Sequence, residues 1–223
     1  MRKLIFFVFM AFVCWFAADS ARGAELRPPQ DAVAGQPMTM GTSGSGNGTL
    51  TLVGPGQVIK HDVKLGSDVQ IKGEELRTAG KWIAILRSGA GPQSAVFCVK
   101  PGEPANLSFL AKPSRVPVAQ RNGISGTVFI FDKFNNLVSQ PTPVNFNLSV
   151  NGAGPTQTVT SQQGVAFIQA SSGPKQGAAQ FVATVGKVSV RRVVQQVASE
   201  ACSGSLRMHV AQRNKDNIVV ETD

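Results

Sequence analysis

Short runs rich in valine, isoleucine, phenylalanine and threonine, broken every 8 to 12 residues by glycine, proline, asparagine or serine, limit what this chain can fold into. No long stretch places its apolar residues at helical spacing, so the pattern is that of an all-β protein. In the first half, TLTLV (49–53), QVIKHDVKL (57–65), DVQIK (68–72), KWIAILR (81–87) and SAVFCVK (94–100) read as strands. Gly54-Pro55-Gly56, Gly66-Ser67 and Gly89-Ala90-Gly91-Pro92 punctuate them. Residues 31–48 begin with an edge-type segment and end in the flexible TSGSGNG.

At PGEP (101–104) the pattern restarts, which sets a domain boundary. ANLSFLA (105–111), GTVFIFD (126–132), PVNFNLSV (143–150), TQTVTS (156–161), GVAFIQA (164–170), GAAQFVATV (177–185) and KVSVRRVVQQV (187–197) follow. Seven strands in about 95 residues is the count of a constant-type immunoglobulin sandwich. The expectation is two tandem immunoglobulin-like β-sandwiches, at 24–100 and 101–197, and a C-terminal tail, 198–223, folded as a β-hairpin of LRMHVAQ (206–212) and NIVVETD (217–223). No close internal sequence repeat links the modules. Alternation places Val128, Ile130 and Asp132 on one face of the 126–132 strand and Thr127, Phe129 and Phe131 on the other. Both faces are apolar in the middle, so part of the outer one is expected to be covered. In the next strand Val144, Phe146, Leu148 and Val150 point inward, and Asn145, Asn147 and Ser149 outward. Phe181, Ala183 and Val185 face away from Val182 and Thr184, and Trp82 reads as the first module's core aromatic.

The N-terminus carries Arg2 and Lys3, an apolar run from Leu4 to about Ala18, then small residues, the three regions of a secretory signal peptide over 1–23. The run is short for a membrane span, which needs about 20 residues, so no stable span is expected after cleavage. Small residues fit cleavage after Ser20 or after Gly23. Cys14 lies inside the run behind Ala-Phe-Val, which does not make a lipid attachment site. The net charge of +9 becomes +8 if Arg2, Lys3 and Asp19 leave. Basic residues in the mature chain are scattered, with Arg191-Arg192 adjacent, and there is no tyrosine. That argues against nucleic-acid binding and leaves surface polyanions as candidate partners.

Asp132 ends a strand, and Asn135 and Asn136 precede the next apolar pair, Leu137-Val138. Asp and Asn bond their own following N–H groups and tolerate left-handed φ, so this is a structural turn. A calcium site needs six to eight oxygens, whereas DKFNN supplies one carboxylate and two amides; no metal and no cofactor is expected. The succession FDKFNNLVSQPTPVNF, TSQQGVAF and GAAQFVATVGKVS resembles the bacterial immunoglobulin-like domain of the invasin and intimin group. The likeness covers about positions 104–197, with Asn135 where the group often has glycine, and Thr160 one residue early before Gln163-Gly164. It implies a sandwich fold and an extracytoplasmic spacer or adhesive role. The first module, through LVGPGQV and TAGKWIAIL, is only generically immunoglobulin-like.

With Cys14 gone, Cys98 and Cys202 form an even pair in an oxidising compartment, and a disulfide between them is the expectation. The tail would then fold back to the last strand of the first module and dock there. Catalytic residues are not identified. His61 and His209 are the only neutral-pH bases, and alternation puts His61 with Ile59 and Val63 on the inner side. Adjacent Glu74 and Glu75 point apart, and GSGNG precedes a strand without the P-loop lysine spacing. The expected function is non-enzymatic binding or structural support at the cell envelope through contacts with an envelope protein. The alternative is a carbohydrate or polyanion binder, and an enzyme built on His61-Asp62 and a serine is the third class.

Overall fold

The computed structural model describes residues 24–150, 152 and 154–198, with the backbone of 208–213 and 218–222. The signal-type segment 1–23 and Cys202 lie outside the described residues. The chain divides into two compact units after Gly102. Both are β-sandwiches of the immunoglobulin type, and a hairpin follows.

The first unit contains β1 (Glu25–Arg27), β2 (Ala32–Val33), β3 (Met38–Ser43), β4 (Asn47–Gly54), β5 (Gln57–Lys64), β6 (Val69–Ile71), β7 (Gly80–Ser88) and β8 (Gly91–Lys100). They form a three-stranded sheet, β1-β3-β6, and a five-stranded sheet, β2-β8-β7-β4-β5. The opening strand is shared between the sheets: β1 pairs antiparallel with β3, the chain passes Pro28-Pro29, and β2 pairs parallel with β8. Proline cannot donate to a ladder, which makes it suited to the crossing. The period-2 alternation of β4, β5 and β7 sends Leu50, Leu52, Ile59, Val63, Trp82, Ala84 and Leu86 inward. Trp82 is fully buried, stacks on Phe97 at a centroid distance of 6.3 Å, and donates its indole N–H to the Thr78 carbonyl at 2.9 Å. That bond satisfies the one polar atom the core encloses with the ring.

The second unit repeats this plan with β9 (Asn106–Lys112), β10 (Arg115–Pro117), β11 (Ile124–Phe131), β12 (Pro143–Ser149), β13 (Thr156–Thr160), β14 (Val165–Ala170), β15 (Gly177–Val185) and β16 (Val188–Val197). Its sheets are β9-β11-β14 and β10-β16-β15-β12-β13, the same order taken eight strands later, and β10 again pairs parallel with its last strand. The crossing from β9 to β10 runs through Pro113. Phe109, Phe146 and Phe181 meet at the centre, with ring centroids 5.1–6.0 Å apart and the Phe109–Phe181 pair edge-on. Val128, Ile130, Val144, Ala183 and Val194 complete the core.

Eight strands rather than seven make up the second unit, because the first strand splits between the two sheets. The three-residue β10 carries no alternation to read. In the first unit β2 and β3 stand where only an edge-type segment was expected, β1 lies ahead of it, and β3 and β4 take up both ends of the TSGSGNG stretch that was expected to be flexible. Ser149 is on the outward side, as alternation expects, but is buried there: the returning loop brings Gly154 against the Leu148 carbonyl, and Asn147 Nδ2 donates to the Gly154 carbonyl at 3.0 Å, closing the loop over the strand end. On the outer side of β11, Phe129 keeps 38% of its surface exposed, with Leu110 and Phe167 exposed on the flanking strands.

The tail forms β17 (Met208–Arg213) and β18 (Ile218–Thr222), an antiparallel pair with a bulge between Val210 and Gln212. It is a two-stranded sheet of its own.

Candidate functional site

Asp132 is the most polar of the buried groups and its surroundings define what it does. Its Oδ1 accepts the N–H groups of Phe134 at 2.8 Å and Asn136 at 2.9 Å, and its Oδ2 accepts Asn136 Nδ2 at 2.8 Å. The Asp132 amide donates to the Asn136 carbonyl, the Asn135 amide donates to the Asp132 carbonyl, and Asn135 takes a left-handed φ of 65°. Both carboxylate oxygens are therefore occupied by N–H donors of the same loop. The arrangement fixes the exit of β11 and has the geometry of a turn-closing aspartate.

His61 lies on the inner side of β5, half-buried, with Nε2 3.3 Å from Glu75 Oε1, within ion-pair range but without hydrogen-bond alignment. Glu75 is tied to the same loop: its Oε2 accepts the Lys72 amide at 3.1 Å, and its carbonyl accepts Gln57 Nε2. Asp62, the next residue along the strand, points to the opposite face and accepts Thr49 Oγ1 at 3.3 Å. His61 and Asp62 are thus separated by the sheet, and the structure does not assemble them into a dyad. Beside Glu75, the Glu74 backbone carbonyl accepts Arg77 Nε at 2.7 Å. His209 is on β17, of which only the backbone is described.

The two units permit residue-by-residue comparison. Gly80 and Gly177 open β7 and β15 with φ of 127° and 136°, and they pair with Val99 and Gln196 respectively. A conformation that side chains rarely adopt thus recurs at the same place in both folds. Gln196 is 1% exposed and neither polar atom of its amide has a hydrogen-bond partner, whereas its counterpart Val99 is an ordinary core residue. Gln196 belongs to the lining of a cavity of about 490 Å³ in the second unit, with Leu148, Ile168, Phe181 and the 171–175 loop.

The outer faces of the five-stranded sheets differ most. In the first unit Val58, Val53, Ile83 and Val96 stand in register across β5, β4, β7 and β8, at 61%, 36%, 41% and 52% exposure. Strands lie about 4.8 Å apart, so the row is about 14 Å long. Exposed Lys60 and Lys81 border it, two residues along their strands on opposite sides of the row, whereas Lys64 and Arg87 lie further along the same face around Asp62, the one carboxylate on these four strands. In the second unit the matching row reads Ser149, Gln180 and Val193, and the positions of the four basic residues hold Thr156, Thr160, Ala178 and Thr184. Cys98, an exposed free thiol, lies on the same outer face as Val96, opposite Lys81. Its expected partner Cys202 is outside the described residues. The row was not found from sequence, although its signal was present as valine and isoleucine at the outward positions of strands whose inward positions were already apolar.

The sequence matches no family model and no curated protein. Solved structures with similar folds include a glycosyl hydrolase family 2 member from Bacteroides cellulosilyticus, at 14% identity over 76% of this chain and 24% of that one, with a TM-score of 0.38. Invasin, described as a bacterial integrin-binding protein, is 14% identical over 85% of this chain and 42% of its own, with a TM-score of 0.40. The Escherichia coli adhesin FdeC is 13% identical over 86% and 68%, with a TM-score of 0.47. The chain spans about a quarter of the first two solved structures that it matches. The likeness is one of fold and says nothing of ligand or partner.

Proposed function

We propose that the protein is an exported, non-enzymatic binding protein that acts through protein–protein contacts at the cell envelope. The observation that carries this reading is the divergence of the two outer faces on one repeated fold. Both units keep the same strand order and apolar interiors. What distinguishes them is an apolar, basic-rimmed outer face on one unit and a polar one on the other. A difference at solvent-facing positions bears on what the surface meets rather than on the fold. The signal-type N-terminus supports export. In an oxidising compartment the exposed Cys98 is open to pairing with Cys202, and the mass of the recovered chain before and after reduction and alkylation reads both the cleavage site and that bridge.

The second reading, a carbohydrate or polyanion binder, rests on Lys60, Lys64, Lys81 and Arg87 sharing one face. Salt separates the two, because at 1 M the Debye length falls to about 3 Å and exposed charge attraction is screened. The protein is washed from its producing cells in rising salt. Retention that survives 1 M salt, with one protein co-purifying, supports the protein-contact reading. Complete release by salt alone, with no protein companion, supports the polyanion reading instead.

A further inference from the structure

We infer that the outer face of β5, β4, β7 and β8 is a docking surface for a protein partner whose apolar contact residues are bordered by carboxylates. The inference rests on the protein-contact reading above and names where that contact is made. Val58, Val53, Ile83 and Val96 form an unbroken apolar row across four adjacent strands, each more than a third exposed. A sandwich does not require this: in the matching row of the second unit Gln180 stands beside Val193, and Ser149 is covered by a loop. The row is therefore exposed apolar surface that the shared strand order does not itself call for.

The rim selects the occupant. On the four strands the outward charges are Lys60, Lys64, Lys81, Arg87 and Lys100 against Asp62 alone, and Lys100 is already engaged with Asp31 at 2.5 Å. A second copy docking through the same face would set like charges against one another, which costs affinity and slows encounter. A bare polyanion would satisfy the rim and leave the apolar row in water. A protein surface with an apolar centre and Asp or Glu around it satisfies both, in the usual arrangement of a buried core with a polar rim. The other exposed apolar group, Leu110, Phe129 and Phe167 on the second unit's three-stranded sheet, has Thr127 at its middle and only Lys112 as a charge on those strands, so nothing there specifies a partner.

The test places the photoreactive residue p-benzoylphenylalanine at Ser94, which is exposed on the outer face of β8 opposite Ile85, in the full chain made by its producing cells. The same residue at Arg191, the matching position of the second unit, is the control. Illumination is expected to give one protein adduct from position 94 and none from 191, with the cross-linked peptide carrying apolar residues next to Asp or Glu. Ile83→Asp, at an outward position that leaves the core intact, is expected to reduce the adduct at least tenfold. The double change Lys60→Glu, Lys81→Glu, which leaves the apolar row untouched, is expected to do the same. An adduct of twice the chain mass would assign the face to a second copy and overturn the proposal. So would an adduct indifferent to Ile83→Asp and to the charge reversals, or none at position 94. If position 191 alone captures a protein, the face is wrong and the protein-contact reading survives. If neither position captures a protein, both fail.

Discussion

At the scale of single residues, the second unit contains one group that its fold does not need. Gln196 presents an amide with no hydrogen-bond partner among the described residues to the cavity it lines, at a place where the first unit has Val99. Leaving a buried donor or acceptor unsatisfied costs about 1–3 kcal/mol, while an apolar side chain of similar volume keeps the packing. Gln196→Leu is therefore expected to stabilise the chain by about 1–2 kcal/mol, measured as a higher denaturant midpoint with an unchanged slope. A destabilised variant would mean that the amide has a partner in solution. Asp132 is the opposite case, a buried carboxylate whose oxygens are filled by the loop it closes. Its role was legible because the turn chemistry of aspartate and asparagine is local. That of Gln196 was not, since an outward and an inward glutamine look alike in Val-Val-Gln-Gln-Val.

At the scale of elements, alternation located most strands to within a few residues, and most of the exceptions have a common cause. β3, six residues long, alternates but was hidden by the glycines and serines at its end, whereas β1, β2 and β10 are two or three residues long, too short for a period to show. They exist because a sheet edge and a parallel neighbour supply their hydrogen bonds, and that information is not in the segment itself. The duplication was hidden for a related reason. Strand order repeats, but the residues that mark it are few: prolines at the sheet crossings, and Gly80 with Gly177. The terminal hairpin was legible, since its two apolar runs flank a polar link. It adds no strand to either sandwich, and a two-stranded sheet contributes little stability alone. A chain ending at Ala198 is expected to unfold in reductant at the same denaturant concentration as the full chain. A loss of stability seen only without reductant would report the Cys98–Cys202 bridge, for which a loop of about 100 residues sets an upper bound near 4.7 kcal/mol. A loss in reductant would mean that the hairpin docks.

At the scale of the whole molecule, each unit encloses its own core: Trp82 and Phe97 with their aliphatic neighbours in the first, the three phenylalanines in the second. Length and the restart at PGEP made two modules legible. The docking face was not, because reading it needs the register of four strands that lie apart in sequence. Domains of this size bury enough surface to fold alone, though with a small margin. Residues 24–102 and 103–198, made separately, are each expected to unfold in one cooperative transition, with slopes that add up to roughly that of the two-unit chain, since the slope follows the surface exposed on unfolding. If either fragment lacks a transition, its sandwich depends on the other for stability. The same fragments separate the two roles of apolar surface in this protein, since Ile83→Asp in 24–102 is expected to shift the unfolding midpoint by no more than the effect of an ordinary surface change, about 0.5 kcal/mol. A larger loss would show that the row is part of the first unit's core energetics, and its exposure could then no longer be read as a vacancy for a partner.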